Sequence, residues 1–163
     1  MSQGALFKQV LQVGMVVRDL EESLRKYWEI YGIGPWAIYT MDPSNVSGMT
    51  IRGERADHAI RVAFTMIGGV QWELIQPLDD RSIYAEFLKA HGEGLHHVAM
   101  AVEDYEGTVS TLKGKGIEVL QGGTTKDGLG YAYLDTAGTM KCITEIYHFP
   151  EPWAFPAPEA TYP

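Results

Sequence analysis

Two hydrophobic periodicities alternate along the chain. Residues 8–17 and 95–102 alternate large apolar residues with small or polar ones over much of their length, the period of a strand. The stretches that follow them, 19–31 and 104–115, repeat apolar residues at helical spacing and open on Asp19 and Asp104, residue types that cap helices. Further strands are expected near 35–41, 48–54, 60–67 and 70–76 in the first half, and near 117–121, 130–135 and 141–147 in the second. "FTMIGGVQWEL" reads as a hairpin turning at Gly68-Gly69. "SIYAEFLKAH", 82–91, reads as an amphipathic helix between the halves. "MDPSNVSG" and "GGTTKDGLG" are rich in turn residues, and "PEPWAFPAPEATYP" is a proline-rich tail expected to wrap or dangle without regular structure.

The halves are related in sequence. "QVGMVVRDLEESL", from Gln12, aligns with "HVAMAVEDYEGTV", from His97, at an offset of 85 residues with five identities. Glu22, three residues after Asp19, completes a plausible capping box in the first copy. "QWELIQP" and "ITEIYHFP" close the halves, each stopping at a proline, and place Glu73 against Glu145. The order in each half is strand, helix, strands. The expected fold is therefore α+β: a first module over 8–78, a linking helix within 79–93, a second module over 94–148 and the tail 149–163.

Strand faces sort the candidate chemistry. Leu11, Val13, Met15 and Val17 share one face of the first strand, and Gln12, Gly14 and Val16 share the other. Strict alternation puts His97 with Ala99 and Ala101 on the small-residue face, and His96 with the large apolar residues as a structural side chain. Glu73 and Glu145 stand in apolar strands, where a carboxylate is rare unless paired or bound to metal. Pseudo-twofold pairing of the halves would bring Gln12, Glu73, His97 and Glu145 together as a divalent-metal site with room for a substrate. By the same alternation Trp72 should face away from that site, while Trp36, Tyr39 and Tyr133 read first as core. His91 falls at a helix end and His148 at the surface; His58 lies in a loop or strand edge.

Composition narrows the function classes. A length of 163 residues with 45% hydrophobic content suits one domain with a real core. A net charge of −8 argues against nucleic acid or an anionic membrane surface as partner, leaving a small molecule. The single cysteine, Cys142, excludes a disulfide framework and a Cys-rich zinc site, and a reducing, cytoplasmic setting is the default expectation. No apolar run approaches a membrane span, and "MSQGALFKQ" lacks the form of a signal peptide.

The duplicated pattern and the stretch "PLDDRSIYAEFLKAHGEGLHHVAMAV" resemble the vicinal oxygen chelate superfamily, which includes glyoxalase I, bleomycin resistance proteins and methylmalonyl-CoA epimerase. The resemblance covers roughly residues 8 to 148. It implies two βαβββ modules forming one cupped mixed sheet with helices outside, and metal ligands from the first and last strand of each module: Gln12, Glu73, His97 and Glu145. The metal implied is zinc, manganese, cobalt or nickel. The activity implied is isomerase, epimerase or lyase chemistry, in which Glu145, or alternatively Glu73, takes a proton beside a metal-bound carbonyl. Epimerases usually carry histidine at the position of Gln12; the Gln, Glu, His, Glu set is more similar to glyoxalase I. The side chains with which glyoxalase I holds glutathione are replaced here by Val16, Pro77 and Glu93. A second epimerase base would come from Glu54, Asp57 or His58. Family habit also implies a homodimer. Two other readings are a non-catalytic protein that binds a drug or metabolite, and a non-haem dioxygenase, for which one histidine ligand is too few.

Overall fold

The computed structural model describes residues 4–163; residues 1–3, part of the N-terminal stretch read for a leader, lie outside the described residues. Among the described residues the order is β1 (Val10–Val16), α1 (Leu20–Tyr31), β2 (Trp36–Met41), β3 (Val46–Ile51), β4 (Glu54–Arg55), β5 (Ile60–Ile67), β6 (Val70–Pro77), α2 (Ile83–His91), β7 (Gly94–Met100), α3 (Tyr105–Lys113), β8 (Val119–Thr125), β9 (Gly130–Leu134), α4 (Ala137–Met140), β10 (Ile143–His148) and β11 (Ala160–Tyr162). The strands form one mixed sheet in the order β11-β2-β5-β6-β1-β7-β10-β9-β8-β3-β4. Two βαβββ modules are embedded in it. The first is β1, α1, β2, β5 and β6; the second is β7, α3, β8, β9 and β10. They meet where β1 runs antiparallel to β7.

The chain connectivity forces the sheet to curl. β2 and β3 lie near opposite ends of the strand order, yet only residues 42–45 separate them in sequence. Eight strand spacings in a flat sheet would be roughly 38 Å. A link of four residues reaches at most about 18 Å. The two ends of the sheet therefore approach each other, and the sheet is a cup. The excursion β3–β4 carries first-module chain onto the edge of the second module, pairing with β8. The sequence pattern placed a strand there but assigned it no such crossing.

Each repeated strand leads into a capped helix. Asp19 Oδ1 accepts from Glu22 N, and Asp104 Oδ1 accepts from Gly107 N, both at 2.9 Å. The capping box stays half-made, because the Glu22 carboxylate pairs with Lys26 at 2.7 Å. Leu20 and Leu24 of α1 pack on Trp36, Ile38 and Leu74, with Met15 and Trp72 alongside; Trp72 thus faces the helix, as its alternation requires. Leu112 of α3 packs on Ala132, Leu134 and Ile146. These two helices cover the outside of the cup. The linking helix α2 sits on the other side, with Ile83 and Tyr84 against Val16, Val62, Ile75 and Tyr133. The tail wraps, and it also ends in regular structure: β11 pairs antiparallel with β2, where no strand was expected. The hairpin at Gly68-Gly69 forms as read, with Ile67 opposite Val70.

No helix among the described residues is long and apolar enough to cross a membrane.

Because the two N-caps serve equivalent helices in separate modules, Asp19→Ala and Asp104→Ala should each destabilise the fold by about 1 kcal/mol. Their effects should sum to within about 0.5 kcal/mol. Urea denaturation of the two single variants and the double variant checks this.

Candidate active site

β1 and β7 form the centre of the sheet, each flanked in parallel by the closing strand of its own module, β6 or β10. In this register Gly14 lies between Glu73 and His97, and Ala99 lies between Gln12 and Glu145. Gly14 and Ala99 are repeat-equivalent, as are Gln12 and His97. Small residues thus occupy the two positions where large polar side chains must lie over the strand. At Gly14 the requirement is strict: a Cβ there would fall 2.5 Å from His97 Nε2 and 2.6 Å from Nδ1.

All four sequence-nominated residues converge, each less than a tenth exposed. Around His97 Nε2 stand three oxygens: Gln12 Oε1 at 3.1 Å, Glu145 Oε2 at 3.1 Å and Glu73 Oε2 at 3.3 Å. One N–H cannot satisfy three acceptors, and Glu73 Oε2 is left buried without a hydrogen bond. Among the described residues no group of three or more His, Cys, Asp or Glu is set out to hold a metal as it stands. The carboxylates are drawn onto the imidazole instead. The donor set nevertheless fits a divalent cation, because three oxygens and one imidazole nitrogen converge and a buried carboxylate oxygen is unpaired.

Electrostatics reinforces the crowding. Burial alone would lower the His97 pKa, but the charges of Glu145 and Glu73 and the contacts with them raise it to about 9. Burial raises the Glu73 carboxyl, with His97 opposing and Glu145 adding to the rise.

The alternation argument fails at His96. The β1–β7 register slips between Gly14, opposite His97, and Met15, opposite Leu95, so His96 is the extra residue of a β-bulge. Both imidazoles turn inward, and their Nδ1 atoms lie 3.0 Å apart. Burial and the neighbouring His97 charge push the His96 pKa well below its usual value. The two Nδ1 atoms share one hydrogen. That fixes the His97 ring with Nε2 toward the oxygens, the role an outer-shell partner plays for a ligating histidine.

Two further residues complete the cluster. Tyr147 OH lies 2.8 Å from both Gln12 Oε1 and Glu145 Oε2, and its one hydrogen serves one of them at a time. Gln71 Oε1 accepts from Gln12 Nε2 at 2.7 Å, which aims the Gln12 oxygen inward. Both were missed, and both were discoverable: each lies two residues from a glutamate on a strand, hence on the same face.

Gln12, Gln71, Glu73, Glu145 and Tyr147 of this cluster form the floor of a cavity of about 270 Å³, with His97 fully buried behind them. Tyr84 donates to Tyr133 at 2.7 Å, and the Tyr133 ring meets the His97 ring edge-on at 5.0 Å. Tyr133 is thus both core and site wall. Of the three candidates for a second base, only His58 lines this cavity. Its Nδ1 lies 3.1 Å from Ala56 O. Glu54 and Asp57 belong to a separate cleft with Arg52, Arg55 and Arg81, where Asp57 pairs with Arg55 at 3.0 Å. β3 offers the cavity the apolar Met49. His91 ends α2 against Phe87, and His148 is exposed at the end of β10, both away from the floor.

A cupped sheet built from two βαβββ modules is one recognisable class of fold. Residues 11–133 match the Glyoxalase/Bleomycin resistance protein/Dioxygenase superfamily, and the chain belongs to it. Among curated relatives, the mitochondrial methylmalonyl-CoA epimerase of Dictyostelium discoideum is 24% identical over 109 residues, 66% of this chain and 57% of the relative. The ethylmalonyl-CoA/methylmalonyl-CoA epimerase of Cereibacter sphaeroides is 34% identical over 97 residues, 57% of this chain and 72% of the relative. The chain thus spans little more than half the length of the first of these. The crystal structure of methylmalonyl-CoA epimerase from Mycobacterium tuberculosis superposes with a TM-score of 0.63 at 20% identity, covering 90% of this chain and 91% of that one. That likeness establishes the fold.

Gly14→Ala should push the His97 ring off its seat. The expected result is a loss of about 1–3 kcal/mol of stability, the range for overpacking a tight interior. The His97 imidazole resonances should shift as the ring moves. Denaturant titration and NMR of the variant check both.

Proposed function

We propose that the chain is a metal-dependent enzyme of the isomerase or epimerase type, removing a proton beside the carbonyl of a small oxygenated substrate. The observation that carries this reading is the buried floor, where one imidazole nitrogen faces three oxygens and one carboxylate oxygen has no partner. Gln12, Glu73, His97 and Glu145 would hold the ion. Bound there, a divalent cation would act as a Lewis acid on the substrate oxygen. The superfamily membership and the epimerase names of the relatives support the same chemistry.

The protein's own groups have separable roles. Glu145 lines the cavity and is the favoured base, held in place by Tyr147; Glu73, also at the cavity floor, is the alternative. His96 fixes the orientation of His97, and Gln71 fixes that of Gln12. His58 is the non-floor imidazole that reaches the cavity, in position to return a proton from another wall. Tyr84, Tyr133 and the apolar side chains give the reacting carbon a weakly polar surround. A binding protein without catalysis is the second reading, favoured by the largely apolar cavity.

The purified protein, loaded with zinc, manganese, cobalt or nickel and dialysed, should retain close to one ion per chain. Glu145→Gln should lower that affinity by about 10-fold or more, at least the loss that removing an outer-shell partner brings. In deuterated water the loaded enzyme should exchange the hydrogen next to a substrate carbonyl, and Glu145→Gln should not. A protein that retains no metal yet binds such compounds would instead be the binding module.

A further inference from the structure

The cavity walls identify a substrate class, given the catalytic reading of its floor. We propose that the site takes a neutral, largely apolar carbonyl compound, selected by a wall that Trp153 and Phe155 form on the C-terminal strap. The charged groups lining the cavity are Glu73 and Glu145; no lysine or arginine lines it among the described residues. Its sides are Met41, Met49, Phe64, Met66 and Leu129. A phosphorylated or thioester-linked nucleotide needs cationic partners for its phosphates. Here it would meet carboxylates inside and a net charge of −8 outside. The outer chamber beyond the strap offers one base, Lys126, beside Asp127 and Glu159.

The strap is built as a wall. A chain of rings runs from the floor to the far side of the cup: Tyr147 to Phe149 at 5.5 Å, Phe149 to Trp153 at 5.1 Å, Trp153 to Phe155 at 4.6 Å and Phe155 to Phe64 at 6.0 Å. Polar bonds pin it at several points. Trp153 Nε1 donates to Asp127 Oδ2 at 2.7 Å, and Tyr39 OH donates to Pro156 O at 3.0 Å. The Glu159 carboxylate accepts from Thr40 N and Oγ1 at 2.9 and 3.0 Å, and β11 then locks onto β2. Trp153 and Phe155 line both the inner cavity and the outer chamber, as do Met41, Phe64, Thr125 and Leu129 opposite, so the strap supplies one side of the passage between the two. Aromatic faces at that point favour a flat apolar ligand over a hydrated, charged chain.

The test uses the full chain loaded with zinc and two probes, 1-phenylpropane-1,2-dione and methylmalonyl-CoA, titrated separately by calorimetry. The dione should bind at least tenfold more tightly than the thioester. Trp153→Ala and Phe155→Ala should each weaken the dione by about tenfold, with zinc content unchanged. Trp153→Phe, which keeps an aromatic face, should recover most of the affinity and guards against a folding defect in the alanine variant. Tighter binding of methylmalonyl-CoA, or dione affinity indifferent to both alanine substitutions, overturns the proposal. Repeating the titration on metal-stripped protein separates the two readings. A preserved preference for the dione supports the apolar site whatever becomes of the metal, whereas a protein that never retains zinc defeats the catalytic reading alone.

Discussion

Three oxygen atoms compete for one buried imidazole hydrogen, and the centre of the fold is arranged to bring them there. Two carboxylates inside a protein are unfavourable unless each is fully paired, and a broken buried pair destabilises by about 3–5 kcal/mol. His97 cannot discharge that penalty alone, since Glu73 Oε2 keeps no hydrogen bond. The backbone accommodates the crowding with Gly14 and Ala99 at repeat-equivalent places, and with a bulge that brings His96 behind His97. Leucine or valine in the same positions would pack without any of these devices. Stability therefore gives no reason for the cluster; the proposed cation would supply one.

The polar floor and the walls of the cavity come from different parts of the chain. The floor belongs to the duplicated strands β1, β6, β7 and β10, so its geometry follows from the pseudo-twofold relation between the halves. Much of the wall does not repeat. Met49 arrives on the β3 excursion, Tyr84 on the linking helix, and Trp153 and Phe155 on the tail. Only a curled sheet lets these segments meet over the floor. Changes in them can reshape the cavity while leaving the floor residues in place.

The sequence revealed the repeat because strand alternation and capping aspartates are local signals, and Val13, Met15, Val17, Asp19 and Glu21 recur at one offset. It revealed the four floor residues because polar side chains in apolar strands are improbable without a partner. What stayed hidden depended on registers and distances. The bulge at His96 arises from β1–β7 pairing, which no single strand encodes, so strict alternation sent the ring the wrong way. The crossing of β3 to β8 and the docking of β11 on β2 are long-range pairings of short strands. Proline content in the tail masked the second of these. Tyr147 escaped notice because a tyrosine on a strand reads first as packing; its 2.8 Å contacts with Gln12 and Glu145 separate it from a core residue.

The relation to coenzyme A epimerases is best understood floor by floor and wall by wall. A floor that stabilises charge on an oxygen while a carboxylate removes a neighbouring proton does not register what is attached to the acyl group. Recognition of a phosphate-bearing carrier needs cations placed along its path, and that demand falls on the walls. Here the wall over the floor is thioether and aromatic, and the arginines of the nearby cleft are committed to Asp57, Asp79 and Glu86. On the proposed function, the repeat would thus constrain the reaction while the unrepeated segments would constrain the substrate, and the two need not change together.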